Sequence, residues 1–409
     1  MNGMEQFATK VVSKLRDAGY ASFFAGGCVR DMLLNVVPKD FDIATSAEPN
    51  QVREVFGHNR TLAIGQSFGV ITVLGAKPHQ VEVATFRNDG EYSDGRRPDS
   101  VTFSSPEEDA QRRDFTINGM FYDPLEKRVI DYVGGEEDLA AQCIRAIGNP
   151  AERIEEDRLR MLRAVRFAAT YDFAIEDATL HAIQERHGKI VSVSQERITH
   201  ELLRMLTKPM ARVRALSLLA ETRLLEAVLP TVASVSPDRW ERIQRVVAAI
   251  EPNDASLVLA ALWGEAGLTV KEVSTRCREL KLSNEQRKLV AWIAQHSSTL
   301  LSADELKFSE LQPLLIQEEV ESAIALLEAI ANTDGTSRSH IDHCRAKLDL
   351  PPEQLNPEPL VRGEDLMEAG ISPGPQFSKL LAMARAAQLD GDVADKAAAM
   401  GFVQRAVNS

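Results

Sequence analysis

Hydrophobic and polar positions follow two different patterns along this chain, and the change falls near residue 138. In the first part, short apolar or alternating runs typical of β-strands lie between helical segments. The predicted strands are Ala21–Ala25, Phe41–Ala44, Val70–Leu74 and Gln80–Phe86, and the predicted helices are Lys10–Ala18 and Val29–Leu34. Phe86–Pro98 is polar, contains glycine and lacks periodicity, so it is predicted to be a loop.

Beyond residue 138 the strand signals stop and helical patterns follow one another, separated by proline and glycine. The predicted helices are Glu155–Thr170, Gln195–Leu206, Met210–Leu229, Trp240–Ile250, Val270–Leu280, Asn284–Gln295 and Val320–Asn332. Pro351-Pro352 and Pro357–Pro359 form the clearest linker. The pattern predicts an α+β protein, in which a mixed head is followed by an all-helical extension.

Composition narrows the class of protein. The 409 residues are 44% hydrophobic, and no apolar run reaches the roughly 18–20 residues that cross a bilayer. The first residues are predicted to form a charged amphipathic helix rather than a signal peptide. Four cysteines without CxxC spacing favour neither a disulfide framework nor a zinc site, so we expect a reducing cytoplasm. A net charge of −13 argues against indiscriminate nucleic-acid binding but allows a local basic groove.

The first candidate for chemistry is the pair Asp40 and Asp42. Residues i and i+2 of a strand point to the same face, so the two carboxylates are expected side by side. Such a pair is costly unless a cation compensates it. Mg²⁺ is suitable, because it combines one or two carboxylates with substrate phosphates. The alternative is a pair of solvated acids in a turn.

A candidate phosphate cradle precedes this pair. Gly26 and Gly27 follow a predicted strand and open a helix, so backbone N–H groups there can approach an anion. Arg30 lies in the first turn and can donate two hydrogen bonds to phosphate oxygens. The alternative is a flexible turn with a surface arginine. Together, cradle and carboxylates favour a nucleoside triphosphate held with Mg²⁺.

A third candidate lies on the predicted helix that includes residues 155–169. On a regular helix Asp157 and Arg160 are neighbours on the polar face, opposite an apolar stripe. The alternative is a surface ion pair of a few tenths of a kcal/mol. Arg158, Arg160, Arg163 and Arg166 follow with no acid between them, which is unusual in an acidic chain.

These motifs resemble the class II tRNA nucleotidyltransferase and poly(A) polymerase family. The resemblance covers the first half of the chain strongly and its motifs occur in the order of the family. They are GGCVRDMLLN, KDFDIAT, RRPDSVTF, RRDFTINGM, DYVGGEEDL, EEDRLRMLRAVRFAA and QERITHELLRML, and GEDLMEAGISPGPQFSKLL resembles the tail of CCA-adding members.

The resemblance implies roles for the residues that match. Asp157 and Arg160 match the positions that bind the Watson–Crick edge of the incoming base. Arg163 and Arg166 match further nucleotide contacts, and Arg113 matches an arginine near the sugar and phosphates.

Three further residues lie in or near these motifs. Asp114 is expected to be a structural or sugar-contacting acid. Glu82 is our candidate for a third metal-site carboxylate, with a plain surface glutamate as the alternative. Gly119 stands where the family usually has alanine.

The architecture implied is a polymerase-β-like head at 1–138, a helical neck at 139–208, a body at 209–335 and a tRNA-binding tail at 336–409. The activity implied is template-independent addition of CCA to the 3′ end of tRNA from CTP and ATP, with pyrophosphate released and Mg²⁺ as cofactor. The implied partners are these nucleotides and tRNA, with neither a membrane nor a protein partner.

Three alternatives stay open at this point. One is a poly(A) polymerase, another is an enzyme that adds only CC or only A, and the third is an inactive RNA-binding protein. Family members restricted to CC have the Phe86–Pro98 region shortened, whereas it is full length here, so we expect complete CCA addition. We also expect this region to readjust Asp157 and Arg160 before the terminal A, with a passive surface connection as the alternative.

Overall fold

This computed structural model describes residues 3–89 and 101–407, so residues 90–98 of the predicted loop lie outside the described part. The chain divides into two compact units, Met1–Ser234 and Val235–Ser409. The predicted boundary between neck and body, at residues 208 and 209, falls inside the first unit. The division into four parts therefore stays a prediction.

The first unit is built on a seven-stranded sheet with the strand order β3-β4-β5-β2-β1-β8-β9. Strands β2 and β5 are parallel, and the other neighbours in this sheet are antiparallel. Strands β6 and β7 form a separate antiparallel pair, and β10 and β11 a short parallel one. The strands are β1 (Ser22–Ala25), β2 (Asp42–Thr45), β3 (Thr61–Leu62), β4 (Val70–Leu74), β5 (Gln80–Thr85), β6 (Arg87–Asp89), β7 (Val101–Phe103), β8 (Phe121–Asp123), β9 (Arg128–Ile130), β10 (Cys143–Ile144) and β11 (Ala174–Ile175).

Helices pack on this sheet and continue beyond it. The α-helices of the first unit are α1 (Gly3–Asp17), α2 (Gly27–Leu33), α3 (Pro49–Phe56), α4 (Pro106–Gln111), α5 (Gly135–Ala140), α6 (Pro150–Glu156), α7 (Arg160–Tyr171), α8 (Asp177–Arg186), α9 (Gln195–Thr207), α10 (Pro209–Glu221), α11 (Leu224–Val228) and α12 (Pro230–Ala233). Short 3₁₀ turns lie at His58–Arg60, Gln66–Phe68, Thr116–Asn118 and His187–Ser192.

The second unit is helical throughout its described residues. Its helices are α13 (Pro237–Ala249), α14 (Ala255–Glu265), α15 (Val270–Glu279), α16 (Asn284–Leu300), α17 (Phe308–Leu315), α18 (Val320–Asp334), α19 (Ser339–Leu348), α20 (Pro352–Leu355), α21 (Gly363–Glu368), α22 (Pro375–Leu389) and α23 (Lys396–Val407). Serine, threonine or aspartate side chains cap α13 to α16, as expected where a polar residue precedes an apolar pattern. None of the helices in the described residues has the length and apolar character that a membrane crossing requires.

Buried aromatic residues fix the strands that carry the candidate site. Phe24 of β1 and Phe41, the residue before β2, are both buried, and their ring centroids lie 5.0 Å apart in an edge-to-face arrangement. Full burial of such a side chain contributes roughly 1.5–3 kcal/mol. Because Phe41 points into the core, its neighbours Asp40 and Asp42 both point outward.

The mixed head and the helical extension predicted from the pattern are confirmed, and the following details are wrong. Strands do not stop at residue 138, because β10 and β11 pair beyond it. Arg87–Asp89, predicted as loop, is strand β6. The predicted helix Met210–Leu229 is interrupted at Arg223, which has a φ of 62°.

Candidate active-site cleft

A single cleft of ≈ 1050 Å³ in the first unit collects the predicted site residues. This is large enough for a nucleotide, since ligand pockets span roughly 300–1,000 Å³. We call Gly26, Gly27, Asp40 and Asp42 the floor of the cleft, and we call Asp157, Arg160, Arg163 and Arg166 its wall. Arg30 and Arg113 also line it.

Two guanidinium groups lie over the glycine turn of the floor. Gly26 has a φ of 70°, which favours glycine, and a Cβ there would lie 2.8 Å from Nη1 of Arg113. A Cβ on Gly27 would lie 3.5 Å from Nη2 of Arg30. The helix begins at Gly27, two residues earlier than predicted. The turn is therefore lined by positive charge, which suits an anion.

The side chain of Arg30 is held in place by hydrogen bonds and by aromatic rings. Its Nη1 donates to Oδ1 of Asn118 at 2.5 Å and its Nη2 donates to Oδ1 of Asp31 at 2.7 Å. Its guanidinium also lies over the rings of Phe167 and Tyr171, 5.2 and 4.6 Å from their centroids. Arg30 thus joins α2 to α7, and it reaches the cleft from a fixed position.

The carboxylates of Asp40 and Asp42 are exposed, and neither accepts a hydrogen bond or forms an ion pair among the described residues. Glu82 of β5 is the partner of Asp42 in the parallel register, so their side chains share one face of the sheet. Desolvation, and then the negative charges of Glu82 and Asp40, raise the pKa of Asp42 to about 6, against the opposing charge of Arg113.

This acidic cluster has the chemistry of a divalent-cation site. Carboxylate oxygens are the hard ligands that Mg²⁺ prefers, and a cation would relieve the repulsion that Asp42 experiences. No group of three or more His, Cys, Asp or Glu side chains in the described residues is arranged to hold a metal. A carboxylate pair still fits Mg²⁺, because substrate phosphates complete its coordination.

The wall does not lie on one regular helix, which corrects the prediction. Helix α6 ends at Glu156, Asp157 is extended with φ −142° and ψ 102°, and α7 begins at Arg160. The Asp157 carboxylate accepts from the backbone N–H of Leu159 at 3.1 Å, which is the contact of an Asx turn just before the helix. Asp157 and Arg160 therefore flank a helix start instead of sharing a helical face.

Each base-reading candidate already has an ionic partner. Arg197 of α9 donates to both carboxylate oxygens of Asp157, at 3.2 and 2.8 Å. Arg160 donates to Oε2 of Glu156 at 2.7 Å and is buried. The surface ion pair considered for Asp157 and Arg160 is thus not the arrangement found.

Arg163 and Arg166 are also paired. Arg163 contacts Asp114 at 2.5 Å, and although burial opposes it, this charge and hydrogen bonds from Asn118 and the Phe115 N–H lower the pKa of Asp114 to about 2. Arg166 contacts Glu201 of α9 at 2.5 Å, and both side chains are buried. The geometry supports a structural role for Asp114.

Sequence reasoning missed the contribution of α9. Arg197, Glu201 and Arg204 lie at positions i, i+4 and i+7, so they share one helical face toward the cleft. This spacing of charged residues was the signal in the sequence that could have identified the face. Arg204 and Lys208 line the cleft and are exposed, which adds positive charge to an otherwise acidic chain. Asp109, which binds Arg112 and Arg113, was also missed.

A mixed sheet followed by a helical extension is the architecture of a nucleotidyltransferase with a polymerase head domain, and the floor of the cleft lies within that head. Three family models match the chain: the poly A polymerase head domain at residues 22–145, the RNA-binding site of polymerase A at 172–235, and tRNA nucleotidyltransferase domain 2 at 250–403. Relatives that match over nearly the full length narrow this class to one family. The chain belongs to the family of CCA-adding tRNA nucleotidyltransferases.

Two of these relatives and one solved structure give the extent of the similarity. The CCA-adding enzyme of Enterococcus faecalis is 34% identical over 391 residues, which are 95% of this chain and 93% of the relative. The CCA-adding enzyme of a Geobacillus species is 35% identical over 397 residues, with 95% and 93% coverage. The crystal structure of the Bacillus stearothermophilus CCA-adding enzyme in complex with CTP has a TM-score of 0.80 and 31% identity, with 100% of both chains covered.

Proposed function

We propose that this chain adds C, C and A in turn to the 3′ end of tRNA, using CTP and ATP and releasing pyrophosphate. The observation that carries the proposal is that the floor and the wall, which are more than a hundred residues apart in sequence, line one cleft. Family membership over the full length supports the same activity.

In this proposal the wall selects the base. The Asp157 carboxylate accepts from the exocyclic amino group that cytosine and adenine share, and Arg160 donates to the adjacent ring nitrogen or carbonyl. Uracil and guanine present donor and acceptor in the opposite order, so the same pair rejects them. No nucleic-acid template is needed, because protein side chains supply the complementary edge.

The charges of the wall must exchange partners when a nucleotide binds. Asp157 loses part of its hydrogen bonding to Arg197 and accepts from the base instead. Arg160 divides its N–H donors between Glu156 and the base. Because each of these groups keeps a charged partner in the free protein, the cleft avoids the cost of unpaired charges before substrate arrives. Arg163 and Arg166 hold the wall at a fixed distance from the head and from α9.

The floor holds the triphosphate. Arg113 and Arg30 lie over Gly26 and Gly27, where the phosphates are to be bound. Asp40 and Asp42 are the residues that would hold Mg²⁺, and Glu82 lies next to Asp42 in the β2–β5 register. When bound there, Mg²⁺ supplies charge stabilisation at the α-phosphate and at the attacking 3′-hydroxyl.

The second unit is assigned to the tRNA. Structured RNA is recognised mainly by shape and phosphate contacts, and the match of residues 250–403 to a tRNA nucleotidyltransferase domain supports this role. We place the activity in the cytoplasm, in keeping with four cysteines that are all free thiols.

The test is to incubate a tRNA that lacks CCA with labelled CTP and ATP, separately and together, and to read the products at single-nucleotide resolution. We expect CC from CTP alone and CCA from the mixture. Products ending at CC with both nucleotides would indicate a CC-adding enzyme, and A-tails on unrelated RNA a poly(A) polymerase. Absence of any product would indicate an inactive RNA-binding protein.

A further inference from the structure

Asp109, on α4, is a buried carboxylate that the proposed chemistry does not use. Its side chain is 1% exposed. One oxygen, Oδ1, accepts from Nε and Nη2 of Arg112, at 2.9 and 2.7 Å. The other, Oδ2, accepts from Nε and Nη2 of Arg113, at 3.2 and 3.0 Å. One carboxylate therefore orients two guanidinium groups of the cleft.

The same carboxylate contacts the strand pair β6–β7. The backbone N–H of Arg87, the first residue of β6, donates to Oδ1 of Asp109 at 3.3 Å. The Arg87 carbonyl in turn accepts from Nε of Arg112 at 3.0 Å. Asp109, Arg112 and the backbone of Arg87 thus form a closed set of hydrogen bonds at the base of this pair.

Contacts continue from the arginine pair to the wall. The backbone carbonyl of Arg112 accepts from Nη2 of Arg153 and from Nη2 of Arg160, the latter at 3.4 Å. The carbonyl of Arg113 accepts from Nη2 of Arg153 at 2.7 Å. Arg153 and Arg160 share Oε2 of Glu156 as a partner. An unbroken series of polar contacts therefore joins β6 to the arginine that reads the base.

The electrostatics keep Asp109 in its charged form. Burial alone would raise its pKa, but the charges of Arg113 and Arg112, with their hydrogen bonds, outweigh it and lower the pKa below the ordinary value. Because the guanidinium groups of Arg112 and Arg113 share the single carboxylate of Asp109, these three side chains together keep a net positive charge beside the cleft.

We propose that Asp109 is a positioning residue that couples the β6–β7 pair to Arg160 and thereby supports the change from C to A addition. The inference rests on the proposed function, in which Asp157 and Arg160 read two bases of different size. For the terminal A, Arg160 has to take a second position, and its contact with the Arg112 carbonyl makes that position depend on how Asp109 holds Arg112. Coupling through such a set of contacts is typically worth a factor of a few to a few tens.

The experiment compares Asp109→Asn with wild type on two tRNAs, one that lacks CCA and one that ends in CC. Rates of C and of A addition are measured under single-turnover conditions, together with misincorporation of UTP and a thermal melting curve. Asp123→Asn is the matched control, because Asp123 is also a buried acid of the first unit, paired with Arg16 at 2.5 Å. Its partner Arg16 does not line the cleft, whereas the partners of Asp109 do. Asp109→Glu keeps the charge and serves as the conservative variant.

We expect Asp109→Asn to lower A addition about tenfold relative to C addition. UTP misincorporation should rise, and Asp109→Glu should restore part of the ratio. Asp123→Asn should leave the ratio unchanged even where it lowers the melting temperature. Equal loss of both steps, or an unchanged ratio, would overturn the positioning role. If Asp109→Asn does not fold, the ratio of A addition to C addition is measured in Arg112→Lys instead. This variant removes the paired hydrogen bonds and keeps the charge. A wild-type chain that never produces CCA would refute the proposed function instead.

Discussion

The floor and the wall of the cleft achieve their arrangement in opposite ways. On the floor, Asp40 and Asp42 are unpaired among the described residues and are placed by local structure, namely a buried Phe41 and a strand start. On the wall, Asp157, Arg163 and Arg166 are each bound to a partner at least 35 residues away. The carboxylates of the floor therefore keep uncompensated negative charge, which in the proposed function binds a cation. The wall keeps its charges compensated, and in the proposed function a base replaces one of the partners.

In the proposed function this difference gives separate tasks to the two regions. Uncompensated carboxylates destabilise the metal-free fold but provide ligands that act on every nucleotide alike. A paired wall contributes stability, and it discriminates because only a base with the matching edge can replace a partner without leaving a charge unsatisfied. Substitutions on the floor should change rate, and substitutions on the wall should change choice or stability.

The largest expected effect is on the floor. Asp40→Ala or Asp42→Ala should lower addition of both C and A by at least roughly 10²–10³-fold, because several kcal/mol of metal-dependent stabilisation is lost. Binding of tRNA and the melting temperature should change little, since both side chains are exposed. Single-turnover rates and filter binding measure the two quantities. Near-normal incorporation by either variant would refute the metal assignment.

The wall should be more sensitive in stability. Arg166→Met leaves Glu201 buried and unpaired, so the free energy of unfolding should fall by about 3–5 kcal/mol. Adding Glu201→Leu in the same chain should recover much of this loss, because no charge is then left unpaired. Urea unfolding of both single variants and the double variant gives the coupling. Additive losses would mean that the pair acts as two independent side chains.

Nucleotide choice is the next effect in size. Asp157→Ala or Arg160→Ala should reduce discrimination between CTP and UTP by about 1–3 kcal/mol, the usual loss for a paired base contact. The observable is UTP and GTP misincorporation relative to CTP on a tRNA that lacks CCA. Activity that falls equally for all nucleotides would show that these residues only stabilise the wall.

The smallest expected effect is a gain in stability when the charge of Asp42 on the floor is removed. The pKa of Asp42 is raised from its ordinary 3.8 to about 6, so the folded protein binds this proton more tightly and loses stability as pH rises from about 4 to 6. Asp42→Asn removes this loss. With a chelator present at pH 7 the variant should be more stable, by at most about 1 kcal/mol because solvent screens an exposed group. The advantage should disappear below about pH 4, as unfolding at both pH values will show.

Sequence patterns predicted the floor better than the wall. Alternation and buried aromatics are local properties, so they located β2, β5 and the outward direction of Asp40 and Asp42. Strands of two or three residues, such as β10 and β11, are too short to show a period. The start of α7 was missed because no proline or glycine marks it, and because its N-cap residue is Leu159, which is not among the polar residues favoured there.

The partners in the wall could not be predicted in the same way. The bonds of Asp157 with Arg197 and of Arg166 with Glu201 join α7 and its start to α9, and the register of those two helices is a tertiary property. The sequence does show that Arg197 and Glu201 share a helical face, but not which residue faces which. The position of Glu82 could not be predicted either, because only the β2–β5 register places it beside Asp42.

The most direct test of the separate tasks is nucleotide binding without turnover. CTP and UTP affinities would be measured for wild type, Asp42→Asn and Asp157→Ala, with a tRNA that lacks the terminal 3′-hydroxyl. We expect Asp42→Asn to bind CTP more weakly but to keep the preference for CTP over UTP, whereas Asp157→Ala should lose about 10–100-fold of that preference. Loss of the preference in Asp42→Asn, or its retention in Asp157→Ala, would refute the separate tasks of floor and wall.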